Sequence, residues 1–104
     1  SLSIERIFKK KLIVMKKYSF IKDVRVHGAG AGIEFVTKDN IPDSNIVKKI
    51  ERNMLKKQIL VYAGGEKGNV LMLIPPLIIN LNNLKKSIEI LSNEIKLLYS
   101  FKEI

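Results

Sequence analysis

Hydrophobic residues recur every three or four positions in three separate stretches of the chain. This spacing places them on one side of a helix, so it predicts amphipathic helices at residues 4–18, 43–57 and 81–99. Side chains that can accept hydrogen bonds from free backbone amides stand near the start of each predicted helix. The candidate N-caps are Ser3 for the first helix, Asp43 or Ser44 for the second, and Asn80 or Asn82 for the third.

Alternating apolar and polar residues predict four β-strands, at residues 24–27, 32–36, 59–62 and 70–74. The first two are joined by a short connection with Gly28 and Gly30, which is typical of a β-hairpin. Within this hairpin, Glu34 is placed to pair with Arg25 across the strands. The fourth strand is expected to end at Pro75–Pro76, because proline has no amide hydrogen for a sheet ladder.

The predicted elements follow the order helix, hairpin, helix, two strands, helix. Strands that pair locally, with helices between them, predict an α+β fold. In such a fold a mostly antiparallel sheet of about four strands carries the three helices packed on one face. The chain has 104 residues, which is an ordinary size for one domain. We therefore expect residues 1–104 to form a single domain.

The chain is strongly basic, with 19 Lys and Arg residues, 10 Asp and Glu residues and a net charge of +9. Such a charge is compatible with a basic nucleic-acid-binding module. However, the lysines are spread along three segments, and few aromatic residues are available to stack on bases. Solvent-exposed helix faces explain the charge better, and nucleic-acid binding is the alternative interpretation.

No stretch of the chain approaches the roughly 20 apolar residues that are needed to cross a bilayer. The segment 4–15 is not expected to be a signal peptide, because Glu5, Arg6 and Lys9–Lys11 interrupt its apolar residues. Cysteine is absent, so the sequence predicts neither disulfides nor thiolate metal ligands. Together these features predict a cytoplasmic protein without membrane contact.

The glycine-rich segments do not match known phosphate-binding motifs. Gly64–Gly68 lacks the residue order of a P-loop, and Gly28–Gly32 leads into a strand instead of a helix. Tight turns and close backbone approach explain these glycines better. His27 is the only histidine, which argues against a metal site. No Ser, His and Asp combination matches a nucleophile motif, so no catalytic residue is expected in this chain.

Two longer motifs resemble a known family. The segment 23–34, DVRVHGAGAGIE, resembles the D-V-R-G-x-G-x-x-x-G-I-E hairpin of class III pyridoxal-phosphate-dependent aminotransferases, which include ornithine, acetylornithine and 4-aminobutyrate aminotransferases. In that family the hairpin opens the small C-terminal domain. The segment 68–79, GNVLMLIPPLII, is similar to the family's G-N-V-I-R-x-x-P-P-L-x-I strand. With the intervening KKQILVYAGG segment, the resemblance covers nearly the whole chain.

This resemblance implies a parent enzyme that uses pyridoxal 5′-phosphate to transfer an amino group from an amino acid or amine to a 2-oxo acid. It also implies that the parent enzyme is a homodimer. In this family the Schiff-base lysine and the cofactor-binding groups lie on a large domain, which is absent from this chain. The chain is then expected to bind no cofactor alone and to form one wall of the substrate pocket. The expected substrate-proximal residues are Met72, Gly64 and Gly65, with Lys67 at the rim. A free-standing adaptor domain is a further alternative.

The sequence departs from the family pattern at two positions. Val26 stands where glycine is usual, so the local bend of the hairpin is expected to differ. Met72 stands where the family commonly has an arginine that binds a substrate carboxylate with two hydrogen bonds. A thioether offers only apolar contact. Three explanations stay open: another group holds the carboxylate, the substrate is apolar at this end, or the activity is lost.

Overall fold

The computed structural model describes residues 2–76 and 78–102, with side-chain surroundings up to residue 100. Three α-helices, one 3₁₀ helix and four β-strands lie within these residues. In chain order they are α1 (Leu2–Leu12), the 3₁₀ helix (Ile13–Lys17), β1 (Ile21–His27), β2 (Gly30–Phe35), α2 (Ser44–Lys56), β3 (Tyr62–Gly64), β4 (Val70–Leu73) and α3 (Leu81–Lys102). Leu77, the leucine of the P-P-L motif, lies outside the described residues.

The four strands form one antiparallel sheet in the order β1-β2-β4-β3. β1 and β2 are the predicted hairpin, and β4 lies between β2 and β3. Successive side chains of a strand point to opposite faces, so the sheet has two distinct surfaces. Val24, Ile33 and Leu71 are aligned on the buried inner face. Arg25 and Met72 belong to the opposite surface, which we call the outer face.

The helices cover the inner face. α1 and α2 contact the sheet, and α3 packs against both of these helices. The predicted apolar stripe of α3 is buried in this core, since Ile88, Leu91 and Ile95 are only 3%, 1% and 1% exposed. The predicted α+β fold is therefore confirmed. No helix in the described ranges is both long and apolar enough to cross a membrane.

Two of the three predicted N-cap sites are confirmed. Asp43 accepts a hydrogen bond from the backbone N–H of Ile46 at 3.2 Å, and α2 begins at the next residue, Ser44. Asn80 Oδ1 accepts from the N–H groups of residues 82 and 83 at 2.8 and 3.3 Å. These contacts satisfy amides that have no partner within the helix itself.

The first helix differs from the sequence prediction at both ends. α1 begins at Leu2, so Ser3 lies inside the helix and the prediction that it is the N-cap is wrong. The α-helix ends at Leu12 and continues as the 3₁₀ helix, which still buries Met15. A 3₁₀ helix has three residues per turn, and it preserves the apolar contact while the backbone tightens.

The third strand is shifted from the predicted 59–62 to Tyr62–Gly64. Gln58 has a φ of 60°, and the N–H of Ile59 donates to the carbonyl oxygen of Met54 at 3.0 Å. Residue 59 therefore belongs to the turn that ends α2. Val61 is buried although it lies outside the strand, which explains why the apolar pattern predicted a strand there.

A polar contact ties α3 to α2. Glu94 is buried, and its carboxylate accepts hydrogen bonds from Lys57 Nζ and Asn53 Nδ2, both at 3.0 Å. Burial alone would raise the pKa of Glu94, but the hydrogen bonds from these two side chains and the charge of Lys57 outweigh it and lower the pKa. These hydrogen bonds join the C-terminal end of α2 to α3.

Candidate functional site

Met72, the central predicted site residue, lies on the outer face of the sheet. Its cross-strand neighbours are Gly32 on β2 and Tyr62 on β3. Gly32 also pairs with Arg25 on β1, so these four residues form one line across the sheet. We call Arg25, Gly32, Met72 and Tyr62 the outer row. Met72 is half-buried there and is not part of the hydrophobic core.

Gly64 lies directly beside the Met72 side chain. A methyl group placed on Gly64 would overlap Met72 Sδ and would lie 3.1 Å from its Cγ. The thioether therefore covers the Gly64 backbone, as the diagonal arrangement of neighbouring strand positions allows. The structure thus brings two of the predicted residues into contact, and a larger residue at position 64 would displace Met72.

Gly65 begins the loop that joins β3 to β4. Its φ is +82° and that of Gly68 is +68°, in the region that favours glycine. The N–H of Gly68 donates to the carbonyl oxygen of Gly65 at 3.2 Å, which closes the turn. A Cβ on Gly65 would also lie 2.7 Å from Val70 Cγ2. Both the backbone angle and the lack of space therefore require glycine at position 65.

Charged side chains occupy the β1–β2 half of the outer face. Arg25 Nη1 donates to Glu34 Oε1 at 3.0 Å, as the hairpin pattern predicts, and to Asp23 Oδ2 at 3.1 Å. Lys16 Nζ lies 3.4 Å from Asp23 Oδ1. The hydrogen bond to Glu34 is the main cause that raises the pKa of Arg25. Burial alone would raise the pKa of Asp23, but the N–H of Val24 and the two cations outweigh it and lower the pKa.

A groove of about 490 Å³ runs beside these charges on the outer face. Its lining includes Arg25 and Glu34 from the hairpin, Val70 from β4, and Gly65 and Lys67 from the loop. The groove therefore connects Gly65 of the predicted pocket wall, and Lys67 at its predicted rim, with the Arg25 ion pairs. Cations and carboxylates both line it, so the groove is a polar surface.

An apolar cleft of about 320 Å³ opens at the opposite edge of the sheet. It lies between β3, the Pro75–Pro76 segment and α3. Two of its residues, Leu60 and Ile74, are 63% and 57% exposed. Tyr62 lines this cleft and also flanks Met72, so apolar surface continues from the outer row to the cleft.

The sequence pattern identifies only part of this arrangement. Alternation places Gly32 on the same face as Arg25, but only the pairing of β2 with β4 shows that Met72 lies beside it. The position of Tyr62 beside Met72 likewise follows only from the pairing of β3 with β4. His27 is exposed at the end of β1. Within the described part of the chain, no three potential metal ligands lie together.

No protein-family model matches the sequence. The chain is 29% identical over 83 residues to alanine/serine racemase from Pyrococcus horikoshii. This match covers 80% of this chain and 18% of the racemase. The chain is also 33% identical over 69 residues to diaminobutyrate–2-oxoglutarate aminotransferase from Rhizobium meliloti. That match covers 59% of this chain and 15% of the enzyme. The chain therefore spans less than a fifth of the length of these curated relatives.

A solved structure matches the fold and is also similar in sequence. Adenosylmethionine-8-amino-7-oxononanoate aminotransferase from Methanocaldococcus jannaschii has a TM-score of 0.74 and 29% identity, over 88% of this chain and 22% of that chain. Together with the Rhizobium aminotransferase, this match confirms the resemblance inferred from the sequence motifs. The chain is similar, in both sequence and fold, to a small segment of class III pyridoxal-phosphate-dependent aminotransferases.

Proposed function

We propose that the chain is the C-terminal small domain of a longer pyridoxal-phosphate-dependent aminotransferase. One observation carries the proposal: the similarity to the Methanocaldococcus aminotransferase covers 88% of this chain but only 22% of that one. The parent enzyme would transfer an amino group from an amino acid or amine to a 2-oxo acid. The large domain of the same polypeptide would supply the remaining groups of the active site.

The cofactor is proposed to bind to that large domain, because the lysines at residues 2–100 do not fit the Schiff-base role. Such a lysine is activated by desolvation or by a neighbouring cation. In contrast, every lysine whose exposure is described here is exposed to solvent. Pyridoxal phosphate, when bound in the parent, would supply the electron sink for amino-group chemistry.

The isolated 104-residue chain is therefore expected to bind pyridoxal phosphate without specificity. The chain is titrated with the cofactor, reduced with borohydride and analysed by peptide mass spectrometry. Scattered, substoichiometric labelling of many lysines is the expected result, since none of the described ones is buried. A single lysine that is modified stoichiometrically would contradict this prediction.

The parent's activity is tested with the full-length protein loaded with pyridoxal phosphate. A panel of amino acids and amines is incubated with 2-oxoglutarate or pyruvate, and new amino acid is measured by mass spectrometry. Donor-dependent amination of the 2-oxo acid is the expected result. The 104-residue chain serves as the control and should show none, because the parent's catalytic groups are proposed to lie elsewhere.

A racemase is the second candidate, because the match to alanine/serine racemase covers 80% of this chain. The two activities are separated by a simple comparison. Inversion of L-alanine in the absence of any 2-oxo acid, followed by chiral chromatography, indicates a racemase. Amino transfer that depends on the 2-oxo acid indicates an aminotransferase.

Within the parent, Met72, Gly64 and Gly65 are proposed to face the substrate. The half-burial of Met72 on the outer face, away from the helices, supports this role. In the full-length enzyme, Met72→Arg should favour substrates that carry a carboxylate near this position. A charge-assisted pair contributes about 1.5–3 kcal/mol, so kcat/KM should shift by roughly 10- to 100-fold. An unchanged preference in a protein that remains folded would contradict the pocket assignment.

The cytoplasmic location stays a prediction. The parent is also proposed to be a homodimer, as the resemblance implies. Light scattering of the full-length protein after size-exclusion chromatography measures its oligomeric state. A monomer that is active would remove the dimer from the proposal without affecting the proposed reaction.

A further inference from the structure

The strand β3 forms one edge of the sheet. In the order β1-β2-β4-β3 it pairs with β4 on one side, and among the described residues no strand pairs with it on the other. The edge of a sheet presents backbone groups that can pair with a strand of another molecule. An open edge is therefore a surface at which two copies of a domain can join.

The two edges of this sheet differ in sequence. β1, at the other edge, carries Lys22, Asp23 and Arg25, and its register shifts between Ile21 and Asp23. Charged side chains and bulges of this kind discourage edge pairing. β3 (Tyr62–Gly64) contains neither a charged residue nor a proline, so only its shortness works against pairing.

One amide of β3 faces the open side of the sheet. Successive residues of an antiparallel strand direct their backbone groups alternately toward and away from the paired strand. The N–H of Ala63 donates to Oε2 of Glu51 on α2 at 2.9 Å, so it faces away from β4. In a strand of three residues, Tyr62 and Gly64 then direct theirs toward β4. Ala63 is therefore the position at which an added strand would have to pair with β3.

Glu51 occupies the place that a carbonyl oxygen of an added strand would need. Such an oxygen would lie about 2.9 Å from the N–H of Ala63, where Oε2 of Glu51 already lies. A hydrogen bond to a carboxylate is also about twice as strong as one to a neutral carbonyl. The helix that carries Glu51 is fixed in the core, since Val47, Ile50 and Met54 are fully buried.

We propose that Glu51 prevents β-strand addition at the β3 edge, and that the partner it excludes is the same edge of a second copy of this chain. Two such edges related by a two-fold axis would pair antiparallel at Ala63, each N–H meeting the other copy's carbonyl oxygen. Leu60 and Tyr62, which are 63% and 43% exposed beside this edge, would supply apolar contact between the copies. The inference does not depend on the proposed reaction.

The test compares the 104-residue chain with its Glu51→Ala variant. In dilute solution, the N–H of Ala63 should exchange with solvent about 10- to 100-fold faster in the variant, as NMR hydrogen exchange measures, because its acceptor is gone. In concentrated solution, sedimentation equilibrium should detect a dimer of the variant and a monomer of the wild-type chain. Protection of the Ala63 N–H should return in that dimer, because the second copy supplies an acceptor.

Three further variants complete the experiment. Glu51→Ser has a side chain too short to reach Ala63, and it should behave like Glu51→Ala. Glu51→Gln keeps an oxygen acceptor, and Glu89→Ala removes an equal charge from an exposed site on α3, so both should behave like the wild-type chain. Folded Glu51 variants that stay monomeric, equal association of the wild-type chain, or a dimer whose Ala63 N–H stays unprotected would overturn the inference.

Discussion

Gly64 is packed so closely beneath Met72 that one added methyl group must displace the thioether. The Cβ of Gly64→Ala would overlap Met72 Sδ. Overpacking of this kind costs about 1–3 kcal/mol, and the flexible, half-buried Met72 side chain places the cost near 1.5 kcal/mol. Because alanine restricts the unfolded chain, about 0.5 kcal/mol is regained. The free energy of unfolding should therefore fall by about 1 kcal/mol.

The same reasoning predicts that Met72→Ala relieves the conflict. With no thioether above it, Gly64→Ala should be neutral or stabilising by about 0.5 kcal/mol. The double-mutant cycle should therefore show a coupling energy of about 1.5 kcal/mol. Urea denaturation of the 104-residue chain measures the free energy of unfolding of all four proteins in the cycle. Unfolding is followed by circular dichroism, because the chain has no tryptophan for fluorescence.

Gly28→Ala is the matched control for this cycle. Gly28 has a φ of +57°, and a Cβ built there has no atom within 4 Å. Its substitution should destabilise through backbone strain alone, by roughly 1 kcal/mol, and by the same amount with or without Met72. If Gly64→Ala behaves like this control in both backgrounds, Met72 does not cover Gly64 and the described contact between them is wrong.

Two further substitutions test the polar contacts of the core. The folded-state pKa of Glu94 is lowered, so its stabilising effect is present at neutral pH and is lost as the pH falls through that pKa. Glu94→Gln should lower the free energy of unfolding by about 1–2 kcal/mol at neutral pH, and the difference should shrink in acid, as urea denaturation across pH would measure. Asn69 Nδ2 donates to the buried carbonyl oxygen of Phe35 at 3.0 Å. Asn69→Ala should lower the free energy of unfolding by about 1–2 kcal/mol, which thermal denaturation would show as a lower melting temperature. An unchanged melting temperature would contradict the contact.

The pattern of apolar residues predicts the class of fold because burial imposes it directly. A stripe such as Ile88, Leu91 and Ile95 is stable only against a core, and the structure buries it. Boundaries are predicted less well, since a buried residue gives the same signal inside and outside a strand. Val61 is buried in the connection before β3, and Met15 is buried in a 3₁₀ helix. The apolar pattern shows which residues face the core but not the backbone angles there.

The site is predicted in part, and the missing part is nonlocal. Alternation along β4 separates Met72 from the core residues Leu71 and Leu73, and the structure agrees. The outer row also depends on which strands are neighbours. β2 pairs with β4 across an intervening helix and the short β3 strand, and local sequence does not encode this order. The proximity of Gly32 to Met72 therefore follows only from the pairing of β2 with β4.

The outer face differs in character between its two halves. A sheet face that meets water is normally polar at alternate positions. The β1–β2 half follows this rule with Arg25 and Glu34, whereas the β3–β4 half presents Tyr62, Val70 and Met72. Apolar surface that the chain's own helices do not cover is typical of a binding site or an interface. The two halves meet where Gly32 on β2 pairs with Met72 on β4.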